Sequence, residues 1–215
     1  MAAAIPASEA AAATPAAAEV ATPRAEIPCV QYLTDLAGQR VQSVWTFDID
    51  AKGRPQKATA LKLTEGQKPR TPCETTVGGW GGEGFDGGHL IAASLNGVSK
   101  RVNLVPMKRS INVGIYKDFE NGAKACLKAG KNATAYKSEV NYPDVTSVVP
   151  SSFTVSMIPK AKGAPGAGTE IRLVIPNEDI STQKKTALRK KLNDGLVANG
   201  CKTKRSVADE GEPAL

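Results

Sequence analysis

Residues 85–120 read FDGGHLIAASLNGVSKRVNLVPMKRSINVGIYKDFE, and the rest of the chain is interpreted as a scaffold for them or a source of positive charge around them. They contain His89, the only histidine of the chain, directly after two glycines. Glycine lets a backbone approach a ligand closely, and imidazole is the natural base near neutral pH. Polar side chains that could complete a site around this histidine follow the same segment: Asp86, Asn103, Asn112 and Glu120.

The hydrophobic pattern of this segment predicts two short strands followed by a helix. Residues 89–93 form a short apolar strand or turn, residues 102–106 a second strand, and residues 108–129 a helix that ends at Gly130. In a regular helix Asn112 and Glu120 would lie about 80° apart and share a face. One amide oxygen and one carboxylate could then hold a hydrated divalent cation facing His89.

Alternating apolar residues around this unit predict a central antiparallel sheet. Residues 42–50 and 57–63 are expected to pair as a hairpin, and residues 145–158 and 170–175 to add two strands. Residues 64–86 are rich in glycine, proline and charge, which is typical of a long functional or mobile loop. Ser181 is positioned to cap a last helix with a leucine stripe and a Lys/Arg-rich outer face.

The two ends of the chain differ from the middle in composition. Residues 1–27 are rich in Ala and Pro and have almost no large apolar side chains, so we expect a disordered linker there. This segment lacks the basic start and Leu-rich core of a signal peptide, and no apolar run is long enough to span a membrane. A folded domain over residues 28–203 and a flexible acidic tail over residues 204–215 complete the predicted organisation.

The charge and the cysteines restrict the partner and the compartment. The net charge is +7, while the first 27 residues are net acidic, so the folded part is basic and favours a polyanion such as nucleic acid. The alternative is that these basic residues, including the Lys/Arg-rich face of the last helix, form a solvated surface that binds no nucleic acid. The four cysteines contain no CxxC pair, which argues against a structural zinc site. They permit two disulfides in an exported protein, in any of three pairings, or four free thiols in a cytosolic one.

The order and spacing of the polar residues resemble those of the DNA/RNA non-specific endonuclease family. The resemblance lies in DGGH at residues 86–89, NLVP at residues 103–106, and then Asn112, Tyr116 and Glu120. It implies an α+β fold with a ββα-metal, or His-Me finger, nuclease core on the central antiparallel sheet. It is strongest over residues 84–127 and looser over residues 40–176. The DGGHLI form is similar to a branch found as C-terminal toxin domains of bacterial polymorphic toxins and secretion-system effectors.

The resemblance implies a role for each matching residue. His89 would be the general base, and Asn112 the direct protein ligand of Mg²⁺, with Mn²⁺ as a substitute. Glu120 would order a water of the metal shell, Asn103 would brace the site, and Asp86 would fix the turn that carries the histidine. Cleavage would leave 5′-phosphate ends.

One departure from the family pattern concerns substrate binding. The better-known motif has arginine after the aspartate, where this chain has Gly87. That arginine is thought to help neutralise the phosphate, so another cation must replace it. Arg70, Arg101 and Arg109 are the candidates.

Each site residue also has a structural interpretation. His89 could be a core histidine, Asn112 a helix cap, Glu120 a surface residue paired with Lys124, and Asn103 a partner of local backbone.

At the level of function, the sequence predicts a Mg-dependent endonuclease that cuts DNA, and RNA as a further substrate, without sequence preference. The resemblance implies an antibacterial toxin, secreted or delivered into target cells and neutralised by an immunity protein. A nucleic-acid-binding module with a decayed site and a secreted scavenging nuclease are the alternatives.

Overall fold

The computed structural model describes residues 27–161 and 168–202. Its strands and principal helices are, in chain order, β1 Arg40–Gln42, β2 Thr46–Ile49, β3 Pro55–Lys62, α1 Pro72–Gly79, β4 Phe85–His89, β5 Leu104–Lys108, α2 Arg109–Ile111, α3 Lys117–Lys128, β6 Lys131–Asn141, β7 Ser152–Ala161, β8 Ile171–Pro176 and α4 Thr182–Ala198. Short 3-10 turns lie at Thr34–Leu36, Ala93–Leu95 and Arg101–Asn103, and a π turn at Asn112–Tyr116 joins α2 to α3.

Six strands form an antiparallel sheet in the order β1-β2-β3-β6-β7-β8. Alternate residues of these strands are buried, as expected for a sheet that packs its core on one face. Examples from three strands are Phe47 and Ile49 of β2, Phe153, Val155 and Met157 of β7, and Ile171, Leu173 and Ile175 of β8. Helices α3 and α4 pack against strands of the sheet and against each other, so the predicted α+β fold with a central antiparallel sheet is confirmed.

A separate two-stranded sheet, formed by β4 and β5, carries the DGGH and NLVP motifs. The register is antiparallel, with His89 opposite Leu104 and Asp86 opposite Met107. The chain passes from β5 directly into the helices, which confirms the predicted strand–strand–helix unit. The position of the first strand was predicted wrongly: it ends at His89 and includes both glycines, because their backbone pairs with β5.

Two other expectations about secondary structure were wrong in part, and one strand was missed. The predicted hairpin is confirmed, because β2 pairs antiparallel with β3, but its first strand is only Thr46–Ile49, since the chain folds back after Gln42 and β1 pairs with β2. The supposed loop over residues 64–86 contains α1, which begins at Pro72, a residue whose fixed φ suits the first helical position. Strand β6 was not predicted, because its buried face carries Tyr136, Ser138 and Val140. The polar Ser138 interrupts the pattern of alternating apolar residues that indicates a strand.

The last helix agrees with its prediction. The Lys184 backbone amide donates a hydrogen bond to Ser181 Oγ at 3.2 Å, so Ser181 caps α4. The leucine stripe of Leu188, Leu192 and Leu196 is buried.

Two disulfides, Cys29–Cys73 and Cys126–Cys201, are present, so disulfide formation is confirmed and the pairing is resolved. The first joins the segment before β1 to α1, and the second joins α3 to the residues after α4. Both cross-links close long loops, with sequence separations of 44 and 75 between the partners. Each would therefore stabilise the fold by about 4 kcal/mol on a chain-entropy basis.

The predicted linker over residues 1–27, except Ile27, and the predicted tail over residues 204–215 lie outside the described residues. The domain boundaries therefore stay a prediction. No helix in the described part of the chain combines the length and apolar character needed to cross a membrane.

Candidate active site

His89 is the last residue of β4, and its ring lies almost buried beneath α1, with 9% of the residue exposed. Ring Nε2 is 3.0 Å from Ser99 Oγ and 3.8 Å from Glu74 Oε1. Burial lowers the pKa of His89 below its ordinary value, and the Glu74 carboxylate opposes this shift while Arg70 adds to it. The ring is therefore held neutral and is capable of accepting a proton at neutral pH.

Glu74 and Ser99 are contacts of the histidine that the sequence analysis missed. Glu74 lies on α1, and its Oε2 accepts a hydrogen bond from Arg70 NH1 at 2.7 Å. Glu74 is 7% exposed, and its Oε1 has no hydrogen-bond partner among the residues that the structure describes. Thr71 Oγ1, at the start of α1, donates to the Ser99 carbonyl at 2.7 Å and so ties the Ser99 loop to the helix. Glu74 lies in residues 64–86, which the sequence predicts to be a loop, so no periodic signal points to it.

Asp86 joins the strand that carries the histidine to the helix that carries Asn112. Its Oδ1 accepts from Arg109 Nε at 3.0 Å, and its Oδ2 accepts from Asn112 Nδ2 at 3.2 Å. Asp86 was expected to fix a turn, but residues 85–89 form a strand, and the carboxylate instead orients the following helix. Asn112 is inside the helical segment and does not cap it, since Lys108 precedes the first helical residue.

The helix is not regular between Asn112 and Glu120, so the predicted angle between them does not apply. A π turn spans Asn112–Tyr116, and Gly114 has non-helical backbone angles of φ −104° and ψ −119°. Such π segments are frequent at functional sites because they reorient one side chain relative to the next turn. Glu120 is half-buried, and burial raises its pKa to about 8 against the opposing effect of Lys117 and Lys124.

Asn103 is fully buried and braces the loop that follows His89. Its Nδ2 donates to the carbonyls of Ile91 and Val98 at 2.9 and 3.0 Å, and its Oδ1 accepts from the Ile91 amide at 2.9 Å. The side chain therefore uses its hydrogen bonds on backbone, and we assign it no contact with a substrate.

Arg101 does not fit the substrate-binding role expected for it. It is 0% exposed, and its guanidinium donates to the carbonyls of Val30, Gln31 and Leu104 at 2.9, 2.8 and 2.6 Å. The guanidinium also lies over the Trp80 ring, 5.1 Å from its centroid. A cation held in this way stabilises the fold and cannot reach a phosphate. The side chains of Arg70 and Arg109 are 83% and 67% exposed.

Helix α1 occupies the space beside Gly87 where the family motif has arginine. A Cβ on Gly87 would lie 2.2 Å from the Glu74 carbonyl oxygen, far inside van der Waals contact. Gly78 of α1 meets the same strand, since its Cβ would lie 2.9 Å from the Gly87 amide nitrogen. The glycine therefore belongs to a close helix–strand contact, and Arg70, bonded to Glu74, brings a cation toward the same side.

The donor atoms near β4 suit a hard, hydrated cation. The part of the chain that the structure describes contains no group of three or more His, Cys, Asp or Glu side chains able to hold a metal. Asn112 Oδ1 makes no hydrogen bond within the described residues, and the Asp86 carboxylate is next to it. Asp86 and His89 are three residues apart on a strand, about 10 Å along its axis. Amide and carboxylate oxygens are ligands that hard cations prefer, whereas zinc and copper sites are usually built from nitrogen and sulfur ligands.

A strand–strand–helix unit beside an antiparallel sheet is an α+β fold of the ββα-metal class. The DNA/RNA non-specific endonuclease family model matches residues 35–160, so the chain belongs to that family and is a metal-dependent endonuclease, a phosphodiester hydrolase. Among solved structures, the chain is similar to NucA from Streptococcus agalactiae with magnesium ion bound, at 20% identity and a TM-score of 0.49, over 67% of this chain and 75% of that one. No curated protein matches the chain.

Proposed function

We propose that the protein hydrolyses phosphodiester bonds of DNA or RNA without sequence preference, with His89 as general base and with Mg²⁺ held by Asn112. The observation that carries the proposal is the contact between Asn112 and Asp86, because it fixes the amide of the helix beside the strand that ends in His89. This contact supports the proposal because the strand–strand–helix unit carries both groups that the chemistry needs, a base at the end of β4 and an oxygen ligand on the helical segment bound to the same strand.

In this mechanism the His89 ring takes a proton from the attacking water. The water oxygen then forms a bond to phosphorus, the bond from phosphorus to the 3′ oxygen breaks, and a solvent proton neutralises the leaving oxygen. The product carries a 5′ phosphate. General-base catalysis of this type contributes about 10²–10⁴-fold to the rate.

The bound Mg²⁺ would supply electrostatic stabilisation of the phosphoryl and leaving oxygens. Asn112 would hold it through its amide oxygen, and Asp86 fixes the direction in which that amide points. We place Glu120 on the same helical segment as the residue that orders a water of the shell, as the family resemblance implies.

Arg70 is our choice for the cation that replaces the arginine missing at Gly87. Its side chain is 83% exposed, and it is bonded to Glu74, which lies next to the histidine ring. Arg109 forms an ion pair with Asp86, so its main role is to position the helix, and contact with a phosphate is secondary. Backbone phosphates are alike in every sequence, so contacts of this kind give no base preference.

Plasmid cleavage tests the proposal. Purified protein should nick DNA in Mg²⁺, lose this activity in EDTA and regain it with Mg²⁺ or Mn²⁺. Asn112→Ala should need a higher Mg²⁺ concentration for half-maximal rate, whereas Asn121→Ala, further along the same helix, should not. Cleavage that persists in EDTA would refute the metal requirement, and tight, salt-sensitive binding of DNA without nicking would favour the decayed-site alternative.

For the biological role, we propose an antibacterial toxin domain that is secreted or delivered into target cells and is neutralised by an acidic immunity protein. The two disulfides suit an oxidising compartment, and the net charge of +7 suits an acidic partner. Expression inside bacteria should be toxic, and co-expression of a neighbouring gene product should relieve it. Absence of toxicity with full nuclease activity in vitro would favour the scavenging alternative.

A further inference from the structure

The carboxylate of Glu74 has one oxygen without a partner in a buried position. Its Oε2 is bound by Arg70, but within the described part of the chain Oε1 has no hydrogen bond and lies 3.8 Å from His89 Nε2. Leaving a buried charged oxygen unpaired is costly unless a nearby positive or polar group compensates for it. The edge of the histidine ring is the group that faces it.

The two ring nitrogens of His89 have different surroundings. Nε2 is 3.0 Å from Ser99 Oγ and faces the Glu74 carboxylate, whereas Nδ1 has no hydrogen bond within the described residues. If Nε2 lacked its proton, a lone pair would be directed at a carboxylate. If Nε2 carries the proton, it donates to Ser99 Oγ and its positive end faces the negative charge. The second arrangement is electrostatically favoured.

We propose that Glu74 is a positioning residue of the nuclease: it holds the His89 ring proton on Nε2 and so leaves Nδ1 as the nitrogen that takes the proton from water. The inference rests on the proposed function, in which His89 is the general base. When the water proton moves to Nδ1, both ring nitrogens carry hydrogen and the ring becomes positive. The Glu74 carboxylate is then the nearby counter-charge for that cation.

The packing of α1 shows that this contact is built into the fold. Gly78 and Gly87 let α1 lie directly on β4, and the Cys29–Cys73 disulfide fixes the residue next to Glu74. The charged groups that act on the ring within the described residues are Glu74 and Arg70, which have opposite effects on its pKa. Removal of either one therefore gives a shift whose sign is known in advance.

The test uses the fact that His89 is the only histidine of the chain. Protein carrying ¹⁵N-labelled histidine, with no histidine tag, gives the NMR signals of one imidazole, and these report both its tautomer and its pKa. We expect the neutral wild-type ring to carry its proton on Nε2. Glu74→Gln should lower the pKa of His89 and reduce the preference for that tautomer, whereas Arg70→Gln should raise the pKa.

Glu83→Gln is the matched control, because it removes an exposed carboxylate from the loop between α1 and β4 and should leave the ring signals unchanged. In plasmid cleavage, Glu74→Gln should lower kcat about tenfold or more, within the range that a general base supplies, and should move the acidic limb of the kcat/KM profile to lower pH. A purely structural role of Glu74 would change the melting temperature without this pair of shifts.

A wild-type ring protonated on Nδ1, or a His89 pKa that is the same in Glu74→Gln and in Glu83→Gln, would overturn the proposal. If Glu74→Gln does not fold, Arg70→Gln provides the test, because the Arg70 side chain is 83% exposed. An unchanged or lowered pKa of His89 in Arg70→Gln would then contradict the proposal. The NMR result needs no catalysis. Failure of the nuclease function would instead appear as full activity in His89→Ala, even with the ring in the predicted state.

Discussion

Replacing Gly87 tests whether α1 truly occupies the place of the family arginine. A Cβ at this position would lie 2.2 Å from the Glu74 carbonyl oxygen and 2.8 Å from its carbonyl carbon and Cα. Restoring a normal contact needs a displacement of about 1 Å between α1 and β4, and overpacking of this kind costs about 1–3 kcal/mol. For a domain of this size the melting temperature should fall by about 2–12 °C. Gly87→Arg should be worse and should not raise activity.

Thermal unfolding followed by circular dichroism and plasmid nicking at 25 °C measure the two effects. Gly79→Ala is the control on the same helix, because nothing lies within 4 Å of the added Cβ, and its melting temperature should be unchanged or slightly higher. The reasoning is refuted if Gly87→Ala melts like Gly79→Ala, or if Gly87→Arg is stable and cleaves faster than the wild type.

Three further predictions concern the histidine, the arginines and a disulfide. Burial lowers the pKa of His89, and the ring acts as a base only when it is neutral. The cleavage rate should therefore stay high below pH 6.5, the ordinary pKa of histidine, and fall only as the ring becomes protonated. A loss of rate that begins above pH 6.5 would contradict this. Arg70→Gln should slow cleavage at low substrate concentration, because its exposed side chain is the proposed phosphate contact. Arg101→Met should destabilise the fold by about 3 kcal/mol or more, because it removes a fully buried guanidinium that donates hydrogen bonds to three backbone carbonyls. Replacing Cys29 and Cys73 with serine should lower the free energy of unfolding by about 4 kcal/mol and also reduce kcat, because this disulfide fixes the residue next to Glu74. Removing the Cys126–Cys201 disulfide should lower the free energy of unfolding by about the same amount, with a smaller effect on kcat. Equal effects on kcat would refute a role of the first disulfide in the site.

The parts of the fold with a regular apolar period were predictable from sequence. The leucine stripe and the Ser181 cap located α4, and the alternation in β2, β3 and β8 located those strands. Strand β6 escaped because burial of Ser138 against the hydroxyl of Tyr116 supplies a hydrogen bond that a hydrophobic pattern does not represent.

The candidate site was easier to propose from sequence in its residues than in its contacts. Local spacing pointed to His89, Asn112 and Asp86 as candidates, and all three lie on the consecutive elements from β4 to the π turn after α2. Glu74 could not be found in this way. It reaches the histidine only through packing of α1 on β4, and the glycines that permit this packing look like loop signals in the sequence.

The helical angle between Asn112 and Glu120 failed for a related reason. The predicted angle assumes a regular helix with the same rotation per residue throughout. The π turn and its kink at Gly114 change the direction of Asn112 relative to α3. Arg101 likewise looked like an available cation because burial among carbonyls of residues 30 and 31 is a long-range contact.

The most direct test of the central claim is chemical rescue of His89. His89→Ala should lose about 10²–10⁴-fold in the single-turnover rate of plasmid cleavage in Mg²⁺, with the melting temperature close to that of the wild type, and added imidazole should restore part of the rate. A variant that cleaves as fast as the wild type would show that no imidazole is the base of this enzyme.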